Sequence, residues 1–141
     1  MVSRRGLILI QAPVRQFNEI DAAMRMLVQD NVHAINVEPV FPVSGYQLEI
    51  GKLLLQYRVP AVSELRLLIE SGGLISYGPS IFSAARRMAY FVDRILKGGN
   101  PADLPVEQVS KFELVINART AKVLDIKLPP LLLARADEVI E

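Results

Sequence analysis

Gly72-Gly73-Leu74-Ile75-Ser76-Tyr77-Gly78-Pro79-Ser80 holds a helix stop, a strand and a helix start in immediate succession. A glycine pair can take the left-handed conformation that closes a helix. Leu74 to Tyr77 has strand length, and Gly78-Pro79 breaks it before Ser80, a residue type that caps helices. Working upstream, Glu64 to Glu70 reads as the short helix that the glycines end, and Val59 to Val62 as the strand before it. Downstream, Ile81, Ala84, Ala85, Met88, Val92, Ile95 and Leu96 hold a helical period until Lys97-Gly98-Gly99. Strands and helices alternating in short steps argue for a parallel sheet with crossover helices.

The same grammar runs toward both ends. Gly6 to Ile10 reads as a buried strand. Asn18 stands as an N-cap with Asp21 completing an imperfect capping box, and Ile20, Ala23, Met24, Leu27 and Val28 make a helix ending near Asp30-Asn31. Ala34 to Val37 is the next strand. Ser44 with Gln47 forms a second capping box before the stripe Tyr46, Ile50, Leu53, Leu54 and Tyr57. Past the long helix, Asn100 to Pro105 reads as an extended loop and Phe112 to Asn117 as a strand. Thr120 to Leu124 is a short helix, and Leu131 to Val139 the last one. The expected fold class is α/β: a three-layer parallel sheet with helices on both faces.

Composition narrows the function. The 141 residues fit one domain or a piece of something larger. Basic and acidic residues number 16 and 15 with their signs dispersed, so no footprint for nucleic acid or anionic lipid is present. The lack of cysteine removes disulfides and thiolate chemistry. A mean hydropathy of +0.29 is high for a soluble chain and implies much surface meant for burial. Even so, no apolar run reaches the roughly 18 residues that span a bilayer. The apolar run Leu7 to Ile10 is too short for the core of an export signal. Taken as complete, the chain is therefore expected to be cytoplasmic.

Enzymatic patterns are lacking. The single histidine, His33, falls in a turn between a helix and a strand, and neither a nucleophile elbow nor a phosphate loop occurs. No catalytic residue, cofactor or metal site is expected. Asp137 and Glu138 read as a solvated helix face. Glu38 and Glu64 differ, because each follows a strand at the carboxyl edge of the sheet, where ligands bind in open α/β folds. For Glu64 a favourable helix-dipole position is the competing reading. Tyr77 can stack on a ligand or hydrogen-bond it, or simply pack in the core; Gly78 permits close backbone approach, or serves a turn. Phe41, Ser44 and Ser63 share that rim. Phe41, Ser44, Ser63, Glu64, Tyr77 and Gly78 form the candidate ligand-binding set, which suits small-molecule binding better than catalysis.

Several segments, taken in order, resemble one family. They are Gly72 to Pro79, Tyr90-Phe91-Val92-Asp93-Arg94-Ile95-Leu96-Lys97-Gly98, Pro101-Ala102-Asp103-Leu104-Pro105-Val106-Glu107-Gln108, Lys111 to Asn117 with Thr120-Ala121-Lys122, and Pro129-Pro130 with Leu133 to Ile140. Together they resemble the ABC transporter substrate-binding proteins of the type I periplasmic-binding fold, over about the C-terminal half of that family. The resemblance implies two α/β lobes that close on a small organic solute and deliver it to an ABC permease, and a periplasmic location. It also implies that an export signal, most of the first lobe, and the opening strand and helix of the second are missing from this chain. Residues 1–78 are expected to form an incomplete second-lobe-like unit, and 79–141 the crossover helix, strand and C-terminal helices of the same fold. The chain departs from the family pattern at Val62-Ser63-Glu64-Leu65 and at Ser80. The leading expectation is a non-enzymatic solute binder for a solute such as an amino acid. The alternative is a truncated lobe that has lost solute binding and self-associates, since missing strands leave open sheet edges. A homo-oligomer is expected.

Overall fold

The computed structural model describes residues 6–40, 43–108 and 111–141. Among these residues six α-helices and five strands follow in order: α1 (Ile20–Gln29), β1 (Ile35–Val37), α2 (Gln47–Tyr57), β2 (Ala61–Ser63), α3 (Arg66–Ser71), β3 (Ile75–Pro79), α4 (Ile81–Leu96), β4 (Phe112–Asn117), α5 (Ala118–Leu124), α6 (Pro130–Leu133) and β5 (Glu138–Ile140). The strands form one sheet in sequential order. The pairs β1–β2, β2–β3 and β4–β5 are parallel, while β3 and β4 are antiparallel. The architecture is α/β with a mainly parallel sheet, as expected.

Because β1, β2 and β3 step in one direction, right-handed crossovers put α2 and α3 on the same face. The core collects there: Ile20 and Met24 of α1, Ile50 and Leu54 of α2 and Leu68 of α3 pack with Val37 and Ala61 of the sheet. The opposite face is open at this edge, where Asn36 and Val62 sit in register and are both exposed. At β4 the sheet is covered on both faces, since the consecutive residues Val115 and Ile116 are both buried. Helices α2 and α3 approach closely at Gly51, where an added Cβ would lie 2.6 Å from the Ser71 carbonyl oxygen. Gly72 closes α3 at φ +144°, a conformation open to glycine.

Several local expectations change. The β3–β4 pair is antiparallel because the chain leaves the sheet through α4 and returns beside its departure point. The amide of Ser80 donates to the Lys111 carbonyl at 3.0 Å and extends that ladder. Gly6 to Ile10 does not become a buried strand: Ile8 makes an isolated bridge, and Ile8 and Leu9 are largely exposed. An all-apolar strand needs cover on both sides, and the sheet ends at β1. Asn18 is not an N-cap, because a 3-10 turn (Phe17–Glu19) leads into α1; Asp21 instead accepts from the Tyr57 hydroxyl at 2.8 Å. Ser44 does not cap α2 either. Its carbonyl accepts from the Gln47 side chain at 2.8 Å.

Ser80 does cap α4, accepting from the Ser83 amide. The Asn100 side chain caps a 3-10 turn (Pro101–Asp103) in the segment expected to be extended, because proline is tolerated in a first turn. The last helix is only α6, and Glu138–Ile140 pairs with β4 as a strand. There the Asp137 carboxylate accepts from the Leu114 amide at 2.8 Å. No helix among the described residues is long and apolar enough to cross a membrane.

Candidate functional site

The carboxyl ends of β1, β2 and β3 bring most of the candidate residues to one rim. Val37 pairs with Ser63, and Ser63 with Ser76, so Glu38, Glu64 and Tyr77 each emerge one residue later along three adjacent strands. Glu64 and Gly78 are in direct apposition. A Cβ at Gly78 would fall 2.9 Å from the Glu64 carbonyl oxygen, so glycine lets β3 pass against the turn into α3.

The polar groups of the rim divide by whether they are already used. Ser63 is buried; its hydroxyl donates to the Val37 carbonyl at 2.7 Å and accepts from the Leu65 amide at 3.2 Å. It therefore ties β1 to β2 and starts the turn into α3 instead of facing a ligand. Glu64 is exposed, and among the described residues its carboxylate has no hydrogen-bond or ionic partner. It precedes α3 by two residues, so it does not occupy the helix's first turn. Glu38 is engaged, accepting from the Asn36 side chain at 2.5 Å.

Tyr77 is 62% exposed and stacks on Phe112 with ring centroids 5.6 Å apart and planes 24° from parallel. Core packing is excluded for it. Phe112 was not among the sequence candidates. It comes to the rim because β4 is antiparallel to β3, pairing Pro79 with Phe112 and Gly78 with Glu113. A parallel β4 would have sent Phe112 to the other end of the sheet, so only the hairpin-like return could have signalled it. Ser44 lies in the 3-10 turn (Val43–Gly45) before α2 and is exposed, with no contact to the other candidates described. Phe41 lies outside the described residues.

Beside the rim, Arg66 at the start of α3 holds both oxygens of Glu138 on β5, at 2.7 and 2.6 Å, and Glu70 at 2.7 Å. Hydrogen bonds donated to Glu138, then to Glu70, push the Arg66 guanidinium further above its already high range. The same bond from Arg66 lowers the Glu138 carboxyl below its usual range. This fork fixes β5 to α3. A separate groove between α1 and α2 is lined by Phe17, Asp21, Glu49, Lys52 and Leu53, away from the strand ends. The rim thus offers an aromatic platform and a free carboxylate, while Gly78 is buried and taken up by its contact with Glu64.

The model of the family described as ABC transporter substrate binding protein matches residues 1–140. The chain belongs to that family. Its members are substrate-binding proteins, which is the class the rim's chemistry fits. Solved structures agree in fold. An ABC domain in complex with L-Trp from Streptococcus pneumonia is 26% identical with a TM-score of 0.84, over 97% of this chain and 46% of its own. A conserved domain protein from Vibrio cholerae is 24% identical, also with a TM-score of 0.84, over 96% of this chain and 46% of its own. A substrate binding protein with adhesive properties from Clostridium difficile, in a ligand-free, open form, is 17% identical with a TM-score of 0.69 and is covered over 45% of its length. This substrate-binding family member therefore spans about half the length of the solved relatives it matches. No curated protein sequence matches it.

Proposed function

We propose that this chain supplies one half of a solute-binding site of an ABC transporter, taking a small organic solute such as an amino acid at the rim of β1, β2 and β3 and passing it to a permease outside the cytoplasm. The observation that carries the reading is the exposed Tyr77–Phe112 stack at the same strand-end rim that carries the unpartnered Glu64 carboxylate. An aromatic face takes the apolar part of a solute, and a carboxylate takes an ammonium group. In this reading Ser44 and Phe41 line the approach to the rim, and Gly78 serves it by letting the Glu64 turn pack against β3. The neighbour that holds L-Trp supports an amino acid with a large side chain as the first class to try. In this reading residues 1–78 supply the lobe and 79–141 the crossover helix and C-terminal elements, and the site binds without chemical conversion.

A thermal-shift screen of amino acids at about millimolar concentration tests it, because a ligand that binds only the folded state raises the melting temperature by mass action. At least one amino acid is expected to stabilise the protein in a saturable way. A flat response across all of them contradicts the reading.

A further inference from the structure

The charge left unbalanced at the rim has one sign. The Glu64 Cβ lies 3.1 Å from the place a Gly78 Cβ would fill, and Gly78 directly follows Tyr77, so the free carboxylate starts one residue from the aromatic platform. In the β3–β4 register Glu113 stands opposite the same Gly78. At the end of β1, the side-chain amide of Asn36 donates to Glu38, and a neutral donor leaves that carboxylate its charge. The cations that reach this end are engaged. Arg66, two residues past Glu64, is forked on Glu138 and bonded to Glu70, and Lys111 faces Glu113 at 3.6 Å. Backbone amides that could receive an anion are spent as well: the Leu65 amide donates to the Ser63 hydroxyl and the Ser83 amide to Ser80. The start of α2 carries Glu49 in its first turn, where it already occupies the positive end of the helix dipole.

That balance discriminates between the two ends of an amino acid. Phe112 stacks on Tyr77, yet 62% of Tyr77 stays exposed, so the platform keeps a side for a solute. An ammonium group is drawn to the negative face of a tyrosine ring, and its hydrogen bond to a carboxylate is charge-assisted. A carboxylate on the solute meets the opposite conditions, with Glu64 and Glu113 near it and Arg66 and Lys111 already paired. An amino acid brings both groups to the rim, whereas an amine brings only the one the rim can receive. Water and salt screen charges at an exposed site, so the preference is several-fold in size and not many orders of magnitude.

We propose, resting on the solute-binding reading above, that this rim selects its solute by an ammonium group and disfavours a carboxylate, with Glu64 setting the preference, so that an aromatic amine binds better than the amino acid with the same ring. Calorimetric titration of the chain with four indoles tests it: tryptamine, tryptophan, the uncharged alcohol tryptophol, and indole-3-propionate. Tryptamine is expected to bind several-fold more tightly than tryptophan, and indole-3-propionate most weakly of the four. Glu64→Gln is expected to weaken tryptamine several-fold while leaving tryptophol unchanged, with the same urea midpoint as the wild type because the side chain is exposed. Tryptophan binding as tightly as tryptamine, or a preference for tryptamine that survives Glu64→Gln, overturns the proposal and leaves solute binding at the rim standing. No heat from any of the four removes solute binding at the rim and the proposal with it.

Discussion

Single residues decide which part of the rim is structural and which is free. Sequence placed Ser63 and Glu64 side by side as equivalent candidates, but their neighbours separate them. The Ser63 hydroxyl is used by Val37 and Leu65, whereas Glu64 is turned outward against Gly78. Nothing in the local sequence distinguishes the two, because the Val37 carbonyl comes from a strand 26 residues away. Removing the hydroxyl leaves a buried carbonyl without its donor, a loss of about 1 to 3 kcal/mol. Ser63→Ala is therefore expected to lower stability by that order in urea unfolding. A variant as stable as the wild type would show that the hydroxyl bonds to β1 and the α3 turn carry no weight.

At the scale of elements, reading was most successful where period and punctuation coincide. The stripe of α2, the Ser80 cap of α4 and the glycine end of α3 all stand where their residues imply. Expectations failed where a distant partner decides. Leu7 to Ile10 has the composition of a strand but is left at the surface beside a sheet that ends at β1. Glu138 has the look of a solvated helix residue, yet it lies in β5 and takes the fork of Arg66 across 72 residues of sequence. That contact has a pH signature. Arg66 lowers the carboxyl's pKa in the folded protein, so its contribution is present above the usual carboxylate range and is lost as pH falls through the lowered value. Both partners are partly exposed, so the effect is small. Glu138→Gln is expected to be less stable than the wild type near neutral pH, with the two urea midpoints converging in acid. A gap of constant size from neutral pH to acid would contradict this account.

For the whole molecule, high hydropathy and balanced charge now have places. Part of the apolar content fills the core over α1, α2 and α3, and part lies bare along α4 and on the Val62 face of the sheet. The family and the α/β class were legible in the ordered motifs, since these carry turn and cap chemistry that a sequence displays directly. The aromatic platform was only half legible. Tyr77 could be named from its strand end, but Phe112 joins it through an antiparallel pairing that no local pattern encodes. The central claim is that this platform and Glu64 hold a solute. Calorimetric titration of the most stabilising amino acid into the wild type and Tyr77→Ala tests it most directly. Loss of one aromatic stack in a binding site costs about 1 kcal/mol or more, so the account predicts saturable heat for the wild type and several-fold or greater weakening for the variant, with unfolding unchanged. Equal affinity in both proteins, or no heat in either, would contradict it.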